Sequence, residues 1–236
     1  RDLSNPAATR FELRSPNPHS NAYIAMAVSY MSMLDGILYA VNNNKTEEDL
    51  LKELSKQYGE DSDYLEKNRS YRSEDDVFED FTEEERNKMY GTAPATIYEN
   101  LSALDKYPEK INVLKRNDVL TDQLINSFKM ATLQRWCTEI GNRIINKYTH
   151  EIRNFKPLHS LDKALDLDVS NWMKINELRH YIMKDSYTSK SLFTRIKSAF
   201  IDEDYSSASK LYLELESKME ELRNLYSSYK KNLLDI

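Results

Sequence analysis

The segment TRFELRSPNPHSNAYIAMAVSYMSMLDGILYAV, residues 9–41, places three alternating charges next to the most apolar run of the chain. Charged and apolar residues alternate from Arg10 to Arg14. This is the period of a half-buried strand, so the three charged side chains share one face. Two prolines within residues 15–19 end the strand and favour a turn. The run that follows, to about Val41, is apolar nearly all round, which predicts a helix buried on most of its faces.

The rest of the chain predicts further helices. Thr46 precedes three acidic residues that suit a first turn, and Thr82 and Thr96 each begin a capping-box pattern with a glutamate three residues later. One long helix, or two in line, is expected over about 118–155, with Gly141 as its weakest point. Charged residues 59–80 lack periodicity and indicate an exposed loop. Additional helices are predicted over residues 170–184, 189–201 and 206–234.

Composition narrows the function classes. The chain has 236 residues, 40% of them hydrophobic, which is enough for one large domain or two small ones. Four glycines nearly exclude glycine-rich phosphate loops, and a net charge of −6 with mixed signs argues against a nucleic-acid partner. A single cysteine excludes an internal disulfide and favours a reducing compartment. We expect no membrane partner and a cytoplasmic protein, because no apolar stretch is judged long enough to span a bilayer.

The last predicted helix carries a heptad-like apolar seam. Such a seam needs a helical partner, and packing inside the domain is preferred over a free coiled coil because only about three heptads are available. The residues of the seam are Leu215, Met219, Leu222, Tyr226, Tyr229 and Leu233.

The Arg-x-Glu-x-Arg strand is the strongest candidate for chemistry. A carboxylate binds Mg²⁺ or Mn²⁺, and flanking guanidinium groups hold phosphate or carboxylate oxygens, as phosphoryl transfer from ATP requires. The alternative is a solvated strand face whose Arg–Glu pairs contribute little. Spacing alone leaves both interpretations open.

The histidines, the cysteine and the acidic segment are expected to have structural roles. His19, His150, His159 and His180 have no metal-ligand spacing and are expected at the surface. Cys137, beside a tryptophan in a helical stretch, is expected to be packed rather than nucleophilic. Acidic residues 74–85 lack the ligand order of a calcium loop and are expected to be solvated.

The segment at residues 9–37 resembles the C-terminal catalytic segment of class I glutamine synthetases. That family shows the form R-I-E-x-R-x-P-D-x-x-A-N-P-Y-L-A-x-A-A-x-L-x-A-G-L-D-G-I, and about thirty residues correspond without a gap. Asn21-Ala22-Tyr23 stands where the family has Asn-Pro-Tyr. Weaker resemblance continues through DDVFEDFTEEERNKM to about Tyr148.

The resemblance implies roles for three residues. Glu12 corresponds to a ligand of one catalytic divalent cation, Arg10 to a contact of nucleotide phosphate, and Arg14 to a contact of the glutamate carboxylate and its phosphorylated intermediate. The implied reaction is ATP-dependent synthesis of glutamine from glutamate and ammonia through γ-glutamyl phosphate, with Mg²⁺ or Mn²⁺. Glu79 stands where some bacterial members carry an adenylylated tyrosine, so that regulation is not expected.

The resemblance also implies an organisation. We expect a mainly α fold: the helical C-terminal part of an α+β catalytic domain over residues 1–150, with one strand at about 10–14, and an added helical extension over residues 151–236. The other metal ligands and the ammonia-site acid of the family are missing from this sequence, so the polypeptide alone is expected to be inactive. The whole ligase would be a cytoplasmic homo-oligomer, a dodecamer by resemblance.

Two alternatives stay open. A γ-glutamyl–amine ligase of the same fold, acting on polyamines, would share the Arg-x-Glu-x-Arg strand, because that strand reports on phosphoryl transfer and not on the acceptor. A helical interaction or assembly module over residues 151–236 is the alternative of a different class, and the seam on the last helix is its motive.

Overall fold

The structure is a computed structural model that describes residues 20–160 and 162–234, with side chains up to Lys231. Within that part the regular elements are helices and no strand occurs, so the prediction of a mainly α fold is confirmed. The predicted strand at 10–14 lies outside the described residues. The helices are α1 (Ala22–Asn42), α2 (Glu47–Leu54), α3 (Glu83–Tyr90), α4 (Ile97–Lys106), α5 (Pro108–Lys115), α6 (Asp122–Thr138), α7 (Ile145–Asn154), α8 (Asp166–Met183), α9 (Leu192–Ile201) and α10 (Tyr205–Leu234).

Threonine caps set the starts of three helices. Thr46 and Thr82 both form complete capping boxes, in which the hydroxyl accepts from the third helical amide and the acidic side chain accepts from the threonine amide. The box at Thr96 differs in one hydrogen bond. The Thr96 hydroxyl accepts from the Glu99 amide at 3.2 Å, but the Glu99 carboxylate accepts from the amide of Ala95, one residue earlier, at 2.7 Å. The three predicted helix starts are therefore confirmed.

The long helical stretch is interrupted where the sequence predicts. A π-helical segment, Glu139–Ile144, contains Gly141 and separates α6 from α7. A π turn inserts an extra residue into the helical ladder, and glycine lowers the helical preference at that point. Gly141 as the weak point is confirmed.

Some boundaries differ from the sequence expectation. Helix α5 was not predicted; its first residue is Pro108, whose ring already has the helical φ and whose missing amide has no role at that position. Helix α8 begins at Asp166, four residues before the expected Ser170. Helix α9 begins at Leu192, because the Ser191 hydroxyl caps the amide of Thr194.

The chain divides into two compact units. The first comprises Arg1–Ala93 and Tyr107–Asp122, and the second comprises Pro94–Lys106 and Gln123–Ile236. Residues 123–150 thus share a unit with residues 151–236. The domain boundary predicted at residue 150 marks where the resemblance to a known family ends. That boundary stays a prediction.

The second unit is organised around α10, which packs against α8, α9 and α4. Leu215, Met219 and Leu222 are fully buried, and Tyr229 is nearly so. These residues are the predicted seam, and their partners are helices of the same unit. The preference for packing inside the domain is confirmed for the described part of α10, up to Lys231.

The first unit contains α1, which packs against α5. Only Met31 of this helix is buried, so the expectation that it is buried on most faces was wrong. The described residues of the unit cover one side of α1 and leave the other open. We call the open side the α1 apolar stripe; it consists of Tyr23, Met26, Tyr30, Met33, Ile37 and Val41.

Among the described residues, α1 is the one helix long and apolar enough to cross a membrane on length and composition alone. The expectation that no stretch reaches that length was therefore wrong for residues 22–42. Length and composition do not distinguish a membrane-spanning helix from a helix covered by protein. The contacts of the side chains around α1 are needed for that distinction.

The α10 seam gives a stability test. We expect Leu215→Ala to lower the free energy of unfolding by about 2–5 kcal/mol, because the fully buried side chain leaves a cavity. Leu213→Ala is the matched control: this leucine of the same helix is 37% exposed, and its loss should cost about 1 kcal/mol or less. Urea unfolding followed by circular dichroism measures both; equal losses would show that the seam is not the core.

Candidate functional site

The three residues with predicted catalytic roles, Arg10, Glu12 and Arg14, lie outside the described residues. The described structure begins just after them, at Ser20, and shows the element that follows. Asn21 caps α1, its side-chain oxygen accepting from the amides of Tyr23 at 3.0 Å and Ile24 at 3.3 Å. The described residues therefore show the helix that follows the predicted catalytic residues.

The covered side of α1 is polar at its centre. The Asp35 carboxylate accepts a hydrogen bond from the Tyr64 hydroxyl at 2.6 Å and pairs with the Arg116 guanidinium at 3.4 Å. Burial, reinforced by the neighbouring Asp35 carboxylate, raises the pKa of Tyr64 to about 12. Tyr64 therefore stays a donor to Asp35 at neutral pH, and it ties the loop after α2 to the middle of α1.

A second cluster lies one turn further along the same side of α1. The Tyr39 ring stacks on Tyr64 with centroids 4.3 Å apart, and its hydroxyl donates to Glu53 at 2.9 Å. Lys45 also donates to Glu53, at 2.6 Å. That hydrogen bond raises the pKa of Lys45 above its usual range. These contacts join α1, α2 and the loop into one polar network.

Lys56 organises the loop over residues 57–70. It is 7% exposed, and its ammonium donates to the carbonyl oxygens of Glu60, Lys67 and Arg69 at 3.2, 2.9 and 2.8 Å. All three of its donors are thus used by backbone acceptors. The loop that the sequence predicted as merely exposed is held by one buried cation.

The end of that loop is fastened to the end of α3. Arg69 donates to the Tyr90 carbonyl at 2.8 Å, and the Ser70 amide donates to the Met89 carbonyl at 2.8 Å. Gly91 follows with φ +85°, and a Cβ there would lie 3.0 Å from the Arg69 guanidinium. Glycine is favoured at this position by its backbone angle, and a side chain there would press on the Arg69 guanidinium.

A cleft of about 330 Å³ lies between α2 and this loop, and its lining mixes lysines with carboxylates. Its charged groups are largely engaged with each other or with backbone oxygens: Lys45 with Glu53, Lys56 with carbonyls, and the Glu60 carboxylate with the Gln57 amide at 2.7 Å. A ligand would have to displace these internal partners. The cleft therefore has the character of a structural network and not of a substrate pocket.

The described residues contain no group of three or more His, Cys, Asp or Glu side chains placed to hold a metal ion. A cation site built from three such side chains would need ligands outside residues 20–160 and 162–234. Glu12 is the residue of that kind that the sequence singles out, and one carboxylate alone cannot hold two metal ions.

The remaining sequence candidates have structural surroundings. His150, His159 and His180 are exposed, as expected, and His19 lies outside the described residues. Cys137 packs beside the core of the second unit, and burial raises the pKa of its thiol, which opposes a nucleophilic role.

The acidic stretch at 74–85 is held by its own backbone. The Asp76 carboxylate accepts from the amides of Phe78 at 2.8 Å and Glu79 at 3.2 Å, and the Asp80 carboxylate accepts from the Asp76 amide at 2.9 Å. Glu79 itself is exposed. Most side chains of residues 74–85 are exposed, as expected.

Sequence reasoning missed a polar network between α7 and α10. The Tyr148 hydroxyl donates to Glu216 at 2.7 Å, and Arg223 lies over the Tyr148 ring at 5.3 Å while donating twice to Glu151 at 2.6 and 2.9 Å. Burial and the Glu216 carboxylate raise the pKa of Tyr148. Partners about seventy positions apart leave no local sequence signal. The network fixes the register of two helices and offers no open reactive group.

Comparison with known proteins gives a family match for part of the chain. The family model described as "Glutamine synthetase, catalytic domain" matches residues 2–70, less than a third of the chain. No curated protein and no solved structure matches the chain. The part of the chain that is similar to a glutamine synthetase catalytic domain therefore includes Arg10, Glu12, Arg14, α1 and the loop closed by Lys56.

The role of Lys56 can be tested by hydrogen exchange. We expect Lys56→Met to speed amide exchange in residues 57–70 by about tenfold or more, because three partly buried carbonyl oxygens lose their donor, at a cost of about 1–3 kcal/mol. Lys52→Met, an exposed lysine one turn earlier on α2, is the control and should leave exchange unchanged. Unchanged amide exchange in both variants would contradict the role of Lys56 in holding the loop.

Proposed function

We propose that this chain is the C-terminal part of the catalytic domain of a class I glutamine synthetase, an ATP-dependent ligase that forms glutamine from glutamate and ammonia. The supporting observation is the family match over residues 2–70, a segment that contains the Arg-x-Glu-x-Arg pattern. In the reaction, the γ-phosphoryl group of ATP passes to the side-chain carboxylate of glutamate. Ammonia then attacks the resulting γ-glutamyl phosphate, and phosphate leaves.

In this proposal the three charged residues have separate roles. Glu12 is a ligand of Mg²⁺ or Mn²⁺, a hard cation that prefers carboxylate oxygens. The cation, when bound, neutralises charge on the transferring phosphoryl group. Arg10 binds nucleotide phosphate and Arg14 the carboxylate of glutamate, because a guanidinium presents paired donors to such anions.

The polypeptide is proposed to be incomplete as a catalyst. Glu12 alone cannot hold two cations, and the described residues provide no further metal-ligand group. The remaining ligands and the acid of the ammonia site would come from a preceding part of the parent ligase. We propose that this parent is a cytoplasmic homo-oligomer, a dodecamer by resemblance, that serves glutamine biosynthesis.

A γ-glutamyl–amine ligase is the alternative within the same chemistry. The Arg-x-Glu-x-Arg pattern serves activation of glutamate by ATP in either enzyme, and the acceptor residues lie elsewhere. Assaying the parent ligase with ammonia and with polyamines separates the two: phosphate release stimulated by polyamines but not by ammonia would favour the alternative.

A helical interaction module is the alternative of another class. It is favoured by the second compact unit, in which α8 carries exposed Leu167 and Met173. Deleting residues 151–236 from the parent ligase tests it. A change in assembly or regulation with intact catalysis would support a separate role for these residues.

The 236-residue polypeptide alone should neither form glutamine nor bind Mg-ATP tightly, because it lacks most of the metal ligands. Isothermal titration calorimetry of the polypeptide with Mg-ATP measures this directly, and binding with a micromolar Kd would contradict it. A folded sample is verified by helical circular dichroism in the same buffer.

The role of Glu12 is tested in a chimera in which residues 2–70 replace the matching segment of an active glutamine synthetase. We expect Glu12→Gln to lower glutamine formation by about 100-fold or more, since the amide keeps the shape but loses the charge that binds the cation. Glu47→Gln, at an exposed glutamate of α2, is the control. A Glu12→Gln chimera as active as its parent would overturn the assignment.

A further inference from the structure

The exposed side of α7 is a charged surface without an assigned role. Lys147, His150 and Arg153 lie on it, and Lys156 follows directly after the end of the helix; all four side chains are exposed. The single acidic residue of α7, Glu151, is already held in an ion pair with α10 at 2.6 Å. The basic side chains therefore outnumber the carboxylate on this side of the helix.

A lysine of α10 extends this surface. Lys230 lies over the Tyr226 ring at 5.1 Å, and the Tyr226 hydroxyl donates to the Lys156 carbonyl at 3.3 Å. The ion pairs among the described residues of the second unit involve other side chains. We define the α7 basic face as the set Lys147, His150, Arg153, Lys156 and Lys230.

The helix dipole accounts for only part of this pattern. Cations in the last turn of a helix stabilise it, and Arg153 lies there. Lys147 lies about two turns earlier, beyond the range of that effect. The opposite side of α7 is buried, with Ile145 and Ile152 in the core, so the helix has no apolar face left to enter a lipid surface. The basic face therefore suits a soluble anionic partner.

An apolar corner adjoins the basic face at the end of α7. Phe155 and Tyr226 are half-buried, and their ring centroids lie 4.5 Å apart. Leu158 is 44% exposed, and its amide donates to the Tyr229 hydroxyl at 3.2 Å. We define the apolar corner as Phe155, Leu158 and Tyr226. A partner that combines anionic groups with one apolar side chain would match both parts of the surface.

The chain itself contains a segment of this chemistry, in its first unit. Residues 74–84 include seven acidic residues and no basic residue, and all seven acidic side chains are exposed. Phe78 stands in the middle of them and is 81% exposed, with the Arg86 guanidinium 5.3 Å from its ring. We call residues 74–84 the acidic segment. It offers the charge and the apolar side chain that the α7 surface lacks.

We propose that the α7 basic face binds the acidic segment of a second copy of the chain, with Phe78 on the apolar corner. Opposite charges attract the two surfaces and set their orientation, and a buried aromatic side chain adds a local anchor. Because each copy carries one basic face and one acidic segment, the contact joins copies head to tail. The inference goes beyond the proposed ligase function, since it involves no substrate of that reaction.

Sedimentation equilibrium of the unmodified chain is the first test. At protein concentrations from about 5 to about 300 µM in about 50 mM NaCl, the average mass should rise above that of one chain. In about 500 mM NaCl the association constant should fall at least about tenfold, because salt screens contacts between exposed charges. A chain that stays monomeric at low salt would overturn the proposal. Association that is equally strong at high salt would also overturn it and would indicate an apolar contact, such as the α1 apolar stripe.

Charge-reversed variants identify the two surfaces. Lys147→Glu with Arg153→Glu changes the basic face, and Asp75→Lys with Glu79→Lys changes the acidic segment; all four side chains are exposed. Each double variant alone should associate at least about tenfold more weakly than the unmodified chain, because like charges then face each other. An equimolar mixture of the two should recover association, since the reversed face meets the reversed segment. A mixture that stays monomeric would contradict the proposal.

Matched variants control for general effects. Lys174→Glu with Lys197→Glu makes the same change in net charge on exposed residues of α8 and α9, and it should associate like the unmodified chain. Phe78→Ser should weaken association about fivefold, whereas Tyr187→Ser, at an exposed tyrosine between α8 and α9, should not. Circular dichroism verifies that each variant is helical. Equal losses in the test variants and their controls would overturn the assignment of the two surfaces.

A nucleic acid is the competing partner for a basic surface, and a fluorescent thymidine oligonucleotide tests it. At equal salt the oligonucleotide should bind the unmodified chain more weakly than the chain binds itself. Tighter binding that is lost in Lys147→Glu with Arg153→Glu would assign the basic face to a nucleic acid and overturn the proposal. None of these measurements uses ATP or glutamate, so their outcome is separate from that of the ligase assays.

Discussion

The pairing of Asp35 with Tyr64 and Arg116 determines which side of α1 is turned toward the first unit. A carboxylate in the middle of an apolar helix is costly to leave without partners, and here a hydroxyl at 2.6 Å and a guanidinium at 3.4 Å supply them. Once that side is fixed, the stack of Tyr39 on Tyr64 and the Glu53 cluster follow along the same side. The opposite side is then necessarily the apolar one.

The second unit is stabilised by a different means. Its core is a row of fully buried side chains on α10, and its polar groups are paired between helices at the edge of that core. Buried Thr96 and Ser209 hydrogen-bond at 2.7 Å and link the start of α4 to α10. Such short polar links fix one helix register among several that apolar packing alone would tolerate.

Local signals in the sequence predicted most of the helices. The sequence contains no comparable signal for contacts between residues that are far apart in the chain. The capping residues Thr46 and Thr82 and the weak point at Gly141 act within one or two turns, so their effect is visible in the sequence. The exposure of one side of α1 is not visible in the sequence, because an apolar pattern indicates a need for burial and does not show whether a partner is present. Lys56 gave no signal either, since its acceptors are backbone oxygens, which every residue has.

The candidate site was found from residue types and a family resemblance, and the summed charge of its three residues suits anions better than cations. Arg10, Glu12 and Arg14 together carry a charge of about +1, so they attract anions such as phosphate or a substrate carboxylate. Mg²⁺ and Mn²⁺ prefer several oxygen ligands, of which these three residues offer the Glu12 carboxylate, and the described residues contain no group of three or more metal-ligating side chains. In the proposed ligase, Arg10 and Arg14 would bind anions, and Glu12 would need further carboxylates to hold divalent cations.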